Sequence, residues 1–485
     1  MKQNDNNFQE ELATKHSELE AQRKEREGKL VDLNLGRIYD SVNSKAVEIE
    51  TTLNVTKGKG LKNVMQTVEE EIIRAADDTL WCPDYSFRRD AEQDINCYTG
   101  THWVNVESAT WKYFVKQCSE RCGLPKELRM DADFMKKLTN HMAFNLFKAL
   151  KNNMPDDVVC LNTPEGTLII KRDGSVTQRE HRKEDLFYYC LTYNFDPKAE
   201  CPLWRKTLNR VLSEKEAQQL LAEFFCYILM KGHRFEKILW LYGPGQNGKS
   251  TVLKVLEALL GSANLSFISL SVLTKSQNVR LGIEHKMVNI SSESGRDVDP
   301  NTLKALSSGE KVTVERKYHD ARQTDDYGKF VVATNKMPNP EDTQAFFRRL
   351  IIMPFEVTIT EQEKDIHLID KLKEELPGIL NWVLAAFPGL MERNAFTESE
   401  LCNKALRLYM EQADSVSLFV RQMCVETTST TKGVDLYYSY ERYCQFMHLD
   451  NKVGRNTFFA NLAELGFKPA PNGNNAKLFN LKLAE

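Results

Sequence analysis

The sequence predicts an α/β fold, preceded by a mixed α+β region and followed by a segment of helices and a hairpin. The clearest observation is KILWLYGPGQNGKSTVLKVLEALLG at 237–261, where an apolar run leads through a glycine-rich turn into apolar residues at helical spacing. Three more apolar runs, at 287–291, 329–334 and 350–355, are suited to buried strands. Uninterrupted apolar strands of this kind are typical of a parallel sheet covered on both faces.

Composition excludes several classes of protein. The 485 residues are 41% hydrophobic and 27% charged, which excludes global disorder and collagen-like structure. Because the formal net charge is −3, any site for a polyanion has to be a local patch. No stretch approaches the roughly 18 apolar residues of a membrane span, and the N-terminus has no apolar signal core. We therefore expect no membrane partner, a cytoplasmic location, and reduced thiols for the 11 scattered cysteines.

Changes of texture along the chain predict four regions. They are a charged N-terminal arm, a mixed α/β accessory domain, an α/β core domain and a C-terminal domain, at 1–60, 61–210, 211–412 and 413–485. The arm interleaves charges of both signs with few apolar residues, which is typical of a solvated helix or a disordered segment. The alternative is a short coiled coil or a segment that binds a partner.

Local patterns predict the elements of the accessory domain. Alternation predicts a strand at 98–106, helical spacing predicts an amphipathic helix at 109–124, and turn signals predict a set of short strands at 156–178. Asp131 and Asp133 form a DxD pair, which holds metal in some polymerases. Since they open an amphipathic helix, we interpret them as helix-start acids and do not infer a primase site from them.

A buried helix is predicted at 212–232, with Ser213 as its N-cap, just before the apolar run at 238–242. Residues 243–250 then fit the pattern G-x-x-x-x-G-K-[ST] in full. The strand before this pattern and the helix after it are the context that a phosphate-binding loop requires.

The residue types in this loop explain its chemistry. Glycines let the backbone wrap closely around phosphate oxygens, and amides at the helix N-terminus point toward negative charge. Lys249 is expected to reach the β- and γ-phosphates, and the Ser250 hydroxyl to ligate Mg²⁺. The sequence therefore predicts an ATP and Mg²⁺ site lined by Gly243, Pro244, Gly245, Gln246, Asn247, Gly248, Lys249, Ser250 and Thr251.

Three further positions are candidates for completing a catalytic site. Glu293 follows the second apolar run and is suited to polarise the attacking water and to help order Mg²⁺. Asn335 ends the third run, where its amide can orient that water. Arg348 and Arg349 precede the fourth run, and a guanidinium there can stabilise transition-state charge on a neighbouring subunit's ATP. The alternatives are a surface acid, a turn asparagine and a solvated arginine pair.

The ordered segments GPGQNGKST, NISSE, LKALSSGEKVTVERKY, FVVATNKMP and FFRRLIIMPF resemble the superfamily 3 helicases. Within them, the sequence is similar to the phage/plasmid and poxvirus-type primase-helicases, over roughly 155–485. The resemblance implies an AAA+-type P-loop ATPase core with a mixed α+β N-terminal region and a C-terminal winged helix. It also implies a hexameric ring that moves along single-stranded DNA, typically 3′ to 5′.

The resemblance assigns individual roles as well. Lys249 and Ser250 correspond to the nucleotide loop, and Glu293 corresponds to the catalytic acid. Asn335 corresponds to the first sensor. Arg349, with Arg348 beside it, corresponds to the arginine finger. Ser292 stands where relatives often have a second acid. Coordination of Mg²⁺ would therefore depend on Ser250 and Glu293.

Residues 312–323 alternate, reach a polar tip and lead back into a strand, which predicts a β-hairpin. In the family this hairpin lines the pore of the ring, with Lys317 and Tyr318 or His319 at the matching basic position. A lysine can track phosphates while an adjacent aromatic ring stacks on bases. The alternative is an exposed hairpin with randomly placed charges.

In the C-terminal domain, the pattern predicts an aromatic amphipathic helix at 434–447, whose rings we assign to a core with base stacking as the alternative, then a second helix opening at 454–456. An Asn-Gly turn after that helix predicts a local hairpin. Helix followed by hairpin resembles a winged helix, in which Arg455, Lys468 and Lys477 would contact DNA phosphates. A wing that docks protein is the alternative, because the basic excess of the region is small.

The function that follows is an ATP-driven DNA helicase for the replication of a phage, plasmid or mobile element in the host cytoplasm. Its expected partners are single-stranded DNA, further copies of itself and, in one version, a separate primase or polymerase. The rival interpretations are an AAA+ ATPase that remodels protein complexes and a replication initiator without processive unwinding.

Overall fold

The computed structural model describes residues 21, 25, 27–42, 59–83, 94–148, 155, 157–292, 298–315, 321–335, 337, 344–447, 452–469 and 477–483. The helices are α1 (27–41), α2 (Lys59–Ala76), α3 (Ser108–Arg121), α4 (Lys126–Met130), α5 (Ala132–Leu146), α6 (Pro202–Val211), α7 (Lys215–Leu229), α8 (Lys249–Leu260), α9 (Leu270–Lys275), α10 (Gln277–Arg280), α11 (Pro300–Ser307), α12 (Gln344–Phe347), α13 (Leu368–Glu374), α14 (Leu376–Leu384), α15 (Phe387–Arg393), α16 (Glu400–Ala413), α17 (Ser415–Met423), α18 (Gly433–Phe446) and α19 (Arg455–Glu464). The strands are β1 (Leu80–Trp81), β2 (Ile95–Tyr98), β3 (Trp103–Val106), β4 (Val159–Thr163), β5 (Gly166–Ile170), β6 (Val176–Arg179), β7 (Ile238–Tyr242), β8 (Leu265–Ser266), β9 (Val288–Ser291), β10 (Val312–Val314), β11 (Arg322–Thr324), β12 (Lys329–Thr334), β13 (Leu350–Pro354), β14 (Cys424–Lys432) and β15 (Leu478–Leu483).

A five-stranded parallel sheet organises the middle of the chain, in the order β13-β7-β12-β9-β8. The α/β prediction for this region is confirmed, since the apolar runs became β7, β9, β12 and β13. Successive residues of β7 point to opposite faces. Leu239 and Leu241 pack with helices α7 and α8 in one core, whereas Ile238 and Trp240 pack with α11 in another. Burial on both faces explains why these strands are apolar throughout.

The predicted N-cap of the buried helix is wrong. Helix α7 begins at Lys215 with Glu214 at the cap position, so Ser213 lies one residue too early. The Glu214 carboxylate does not cap its own helix but accepts hydrogen bonds from the Ser399 hydroxyl at 2.6 Å and the Glu400 amide at 2.9 Å. A tertiary contact with the start of α16 therefore replaces the local cap that the sequence favours.

The accessory region folds around its own core. Helices α1, α2, α3 and α5 pack with the antiparallel sheet β1-β2-β3. Val31, Leu35 and Ile38 of α1 are buried in this core, so the helical part of the N-terminal arm is not merely solvated. The single strand predicted at 98–106 is wrong: a turn after Tyr98 makes it the end of β2 and all of β3.

Two other predictions for this region are confirmed. Strands β4, β5 and β6 form the antiparallel set expected at 156–178. Asp131 is the N-cap of α5, and its carboxylate accepts hydrogen bonds from the amides of Asp133 at 2.9 Å and Phe134 at 3.1 Å. The DxD pair therefore begins a helix, as the pattern of apolar residues after it indicates.

The C-terminal region runs α17, β14, α18, α19, β15. Strand β15 pairs antiparallel with β14, which precedes both aromatic helices, so the described partner of β15 is distant in sequence. The local hairpin predicted across the Asn-Gly turn is therefore not the pairing formed by β15. Residues 470–476, which contain that turn, lie outside the described ranges.

All 11 cysteines lie within the described residues, and none of them is in a disulfide. Among the described helices, none combines the length and the apolar composition needed to cross a bilayer.

Candidate nucleotide site

The carboxyl ends of β7 and β12 meet at one edge of the parallel sheet. Thr334 pairs with Tyr242 in register, so the glycine-rich loop (residues 243–248) leaves β7 directly beside Asn335, which follows β12. The Gly243 amide donates to the Thr334 carbonyl at 3.3 Å. Ligands of open α/β sheets bind at such carboxyl edges. The structure thus brings together two of the residues that the sequence predicts for the site.

Lys249 lies at the centre of this edge. It is the first residue of α8, it is only 7% exposed, and its ammonium donates to three neutral oxygens. They are the Gly243 carbonyl at 2.5 Å, Asn247 Oδ1 at 3.1 Å and Asn335 Oδ1 at 3.1 Å. A phosphate oxygen would be a stronger acceptor than any of these, because hydrogen bonds between charged partners are roughly twice as strong as neutral ones.

The loop requires glycine at both of its ends. Gly243 has a φ of +154°, and a Cβ there would lie 2.3 Å from the Phe355 carbonyl. Gly248 has a φ of +91°, and a Cβ there would lie 2.6 Å from Val211, at the end of α6. Backbone can approach other groups this closely only where no side chain intervenes. Gly245, in contrast, has open space at its Cβ position.

Asn247 has a structural role that the sequence does not reveal. Its side chain is 2% exposed and its amide nitrogen donates to the Phe355 carbonyl at 2.9 Å, just after β13. Its oxygen accepts from Lys249. Because the side chain ties the loop to the neighbouring strand, only the backbone of Asn247 is left for the predicted nucleotide contact. Gln246 is tied similarly, because its carbonyl accepts from the Ile359 amide at 2.8 Å.

The residues present fit a nucleoside triphosphate with Mg²⁺. Pro244, Gly245 and Gln246 are exposed, while Ser250 and Thr251 in the first turn of α8 are half-buried. A hydroxyl at that position is a suitable oxygen ligand for Mg²⁺. Glu293, the other predicted ligand, lies outside the described residues, although β9 delivers Ser292 to the same edge of the sheet.

The two arginines lie at the opposite end of the sheet. The Ile238 amide donates to the Arg349 carbonyl at 2.8 Å, which places both arginines at the amino end of β7. Strand β7 is five residues long, which corresponds to about 13 Å between its ends. Arg348 and Arg349 are therefore remote from the loop of their own chain.

The two arginines also differ from each other in exposure. The Arg348 side chain is 62% exposed and contacts Glu236 at 3.0 Å. The Arg349 side chain is 10% exposed, contacts Glu236 at 3.2 Å and donates to the Ser308 hydroxyl at 2.8 Å. Of the two, Arg348 is the one whose guanidinium is presented at the surface.

Strands β10 and β11 form the predicted hairpin, with Thr313 opposite Gln323. The tip residues Lys317, Tyr318 and His319 lie outside the described residues. At the foot of the hairpin, Arg322 donates to the Glu284 carboxylate at 2.6 Å.

A second ion pair lies at the foot of the same hairpin, and its histidine contacts a residue of the accessory region. His285 Nδ1 lies 2.6 Å from Asp326 Oδ2, and the His285 ring stacks on Tyr188 with centroids 4.1 Å apart. Burial lowers the pKa of His285, but the Asp326 carboxylate more than reverses this, so the pKa lies above its ordinary value. The stack links the segment after β6 to the hairpin, a contact without any local sequence signal.

The predicted phosphate contacts of the C-terminal region are all on the surface. Arg455 opens α19, and Lys468 and Lys477 flank the undescribed turn, all three exposed. The Lys477 ammonium lies 4.8 Å from the centre of the Phe459 ring. Their exposure allows contact with a polyanion.

Comparisons with known proteins identify two regions of the chain. Residues 84–213 match the family described as D5 N terminal like, and residues 241–349 match DUF5906, a family of unknown function. Val211 of the first region packs on Gly248 of the second, so the two matched regions adjoin at the glycine-rich loop.

Solved structures of the NrS-1 C terminal region are also similar to this chain. The apo structure of residues 305–718 has a TM-score of 0.47 at 11% identity and covers 85% of this chain and 98% of that one. The A form apo structure of the same residues has a TM-score of 0.44 at 10% identity and covers 80% and 94%.

Proposed function

We propose that this chain is an ATP-dependent DNA helicase that serves the replication of a phage, plasmid or related mobile element in its host's cytoplasm. It would act as a ring of identical subunits, a hexamer by resemblance, with single-stranded DNA in the pore and ATP at the subunit boundaries. The observation that carries the proposal is the Lys249 ammonium, held 3.1 Å from Asn335 across the carboxyl edge of a parallel sheet. The match of residues 84–213 to the D5 N terminal like family supports the same reading.

Binding of the triphosphate would use the backbone first. The amides at the start of α8 and in the glycine-rich loop present partial positive charge to the phosphates. Lys249 would exchange its neutral acceptors for phosphate oxygens. Because Asn335 would then lose its contact with Lys249, its amide would become available to orient a water molecule.

Hydrolysis needs further groups from this chain. Mg²⁺, when bound, would neutralise developing charge on the phosphates, with Ser250 and Glu293 as its protein ligands. Glu293 would also accept a proton from the attacking water. Arg348 would reach the triphosphate of an adjacent subunit in place of Arg349, because both lie at the far end of β7 from their own loop and Arg348 is the more exposed.

The C-terminal region would serve as a winged helix. Its order, with two helices between strands that pair with each other, supports this assignment. The pore contacts would be Lys317 with Tyr318 or His319, at the tip of the β10–β11 hairpin.

The decisive experiment measures ATP hydrolysis and strand displacement on the same preparations. We expect ATP hydrolysis by the full chain to be stimulated by single-stranded DNA, and a forked duplex to be separated. Lys317→Ala should retain basal hydrolysis and lose unwinding. Hydrolysis that ignores DNA and separates no strands would favour a protein-remodelling ATPase or an initiator. Equal unwinding by Lys317→Ala would remove the pore assignment alone.

A further inference from the structure

Helix α18 carries aromatic residues on both of its faces. Tyr440 and Tyr443 are buried, and Tyr440 stacks on Phe458 of α19 with centroids 4.8 Å apart. Tyr438 is 63% exposed and Phe446 is 82% exposed, on the other side of the helix. The inner rings therefore account for the packing of this region, and the outer rings do not contribute to it.

The outer residues form a regular stripe. Tyr438, Arg442 and Phe446 follow each other at intervals of four residues, which places them on one helix face with about 6 Å of axial rise between successive members. Within the described residues, no hydrogen bond or ring contact involves Tyr438 or Phe446, and no ion pair involves Arg442. We call these three residues the outer stripe.

The charge of the surroundings suits a polyanion. Residues 415–485 contain 8 Lys or Arg and 6 Asp or Glu, an excess of +2, whereas the remaining residues contain 57 and 62, an excess of −5. Near the stripe, the Glu441 carboxylate is paired with Lys452 at 2.7 Å. Asp435 is exposed, but it lies in the first turn of the helix. The stripe therefore presents an exposed guanidinium that forms no ion pair with any described residue, on the basic part of an acidic chain.

We infer that the outer stripe is a binding site for single-stranded nucleic acid, with bases stacked on Tyr438 and Phe446 and a phosphate on Arg442. Exposed rings bind bases of any sequence because every base has a π-face, and a guanidinium between them neutralises the backbone. The inference rests on the proposed function in that its occupant is the strand the ring would translocate. It adds a contact outside the pore and separate from Arg455, Lys468 and Lys477.

Fluorescence anisotropy of the full chain with labelled oligothymidylate tests this inference. We expect Tyr438→Ala and Phe446→Ala each to weaken binding about tenfold, since stacking on one ring contributes that much or more. Tyr438→Phe should bind like the unchanged chain, because it retains the ring. Arg442→Gln should reduce the slope of log affinity against log salt by about 0.7. Tyr113→Ala is the matched control, since Tyr113 is also 63% exposed but lies on α3.

The outcomes separate this inference from the proposed function. Unchanged affinity in Tyr438→Ala and Phe446→Ala, with binding by the unchanged chain, would overturn the stripe and leave the helicase proposal standing. No binding of oligothymidylate by the unchanged chain, with or without ATP, would overturn both. Sedimentation velocity tests the alternative that a second copy of this chain occupies the stripe. If the two alanine variants lose oligomer mass and keep their affinity for DNA, the stripe joins copies of this chain and the inference is overturned.

Discussion

Two buried lysines lie at opposite ends of strand β12, and they differ in what surrounds the charge. Lys249 contacts Asn335, just beyond the carboxyl end, while Lys329 is the first residue of the strand. Lys249 is 7% exposed and Lys329 is 3% exposed. Burial alone therefore does not distinguish the residue proposed to bind nucleotide from the residue at the other end.

The acceptors make the difference. Lys249 donates to two side-chain oxygens and a loop carbonyl, in a loop whose residues 244–246 are exposed. Lys329 donates to the Met230 carbonyl and lies 5.0 Å from the centre of the Tyr227 ring. Burial in these surroundings lowers the pKa of Lys329 to about 7.

His233, which lies close to Lys329, is also in surroundings that disfavour a positive charge. His233 Nε2 donates to the Gly328 carbonyl, 3.0 Å away. Burial, followed by the charge of Lys329, lowers the pKa of His233 to about 3. The comparison shows that Lys249 has side-chain and loop oxygens as partners, whereas the surroundings of Lys329 disfavour positive charge.

The largest expected difference between the two lysines is in ATP turnover, after Lys249→Ala at one end and Lys329→Met at the other. Lys249→Ala should lower ATP turnover by about 100-fold or more with the fold intact, because the cation that contacts the phosphates is lost. Lys329→Met should keep most of the turnover, since methionine fills similar space without a charge. Steady-state ATPase assays and circular dichroism on both variants check this. Undiminished turnover in Lys249→Ala would contradict the nucleotide site, and equal losses in both variants would contradict the contrast.

Mixing experiments at the amino end test whether its arginines act on another subunit. Arg348→Ala subunits mixed with unchanged subunits should reduce ATP turnover out of proportion to their share, because a finger acting in trans contributes about 1000-fold or more per site. Arg349→Ala should instead destabilise the protein by about 1–3 kcal/mol, since Ser308 and Glu236 lose a buried partner. Turnover of each mixture and chemical unfolding of each variant are the measurements. Strictly proportional loss with Arg348→Ala would argue against action in trans.

A smaller effect is expected in the pH dependence of the free energy of unfolding, to which Lys329 contributes through its lowered pKa. Lys329 has a pKa of about 7 when folded and about 10.4 when unfolded. Between these values the unfolded chain holds more protons, so stability rises with pH, by up to about 1.4 kcal/mol per pH unit from this group. Below pH 7 the folded chain bears the whole cost of the buried charge.

Lys329→Met removes this dependence. The stability gained by the variant should therefore be largest near pH 7 and should shrink as the pH rises toward 9.5. Urea unfolding of both proteins across that range measures the difference. A stability difference that does not change with pH would show that burial does not lower the pKa of Lys329.

Local patterns predicted much of the fold and part of the candidate site. Strand β12 was predicted to the residue, and helix α8 begins and ends as the loop pattern and Gly261 indicate. These succeed because an apolar strand, a glycine-rich turn and an amphipathic helix are each specified by residues a few positions apart. The roles of Glu293 and Lys317 stay predictions.

Contacts between distant segments were outside the reach of local patterns. Nothing near Gly248 indicates that Val211 excludes a side chain there, or that Phe355 anchors Asn247. The same holds for β14, which took β15 as its partner from beyond two helices. Such pairings depend on which surfaces meet after the chain has folded.

By itself, the sequence determined the parallel strands, the glycine-rich loop and the lysine at its end, since short-range periodicity and the conformational freedom of glycine are properties of the local chain. The tertiary structure alone fixes which of two adjacent arginines is exposed, which rings of α18 are buried, and which buried lysine has side-chain oxygens as partners. Those outcomes depend on burial and on the neighbours of each side chain, which many distant residues set together.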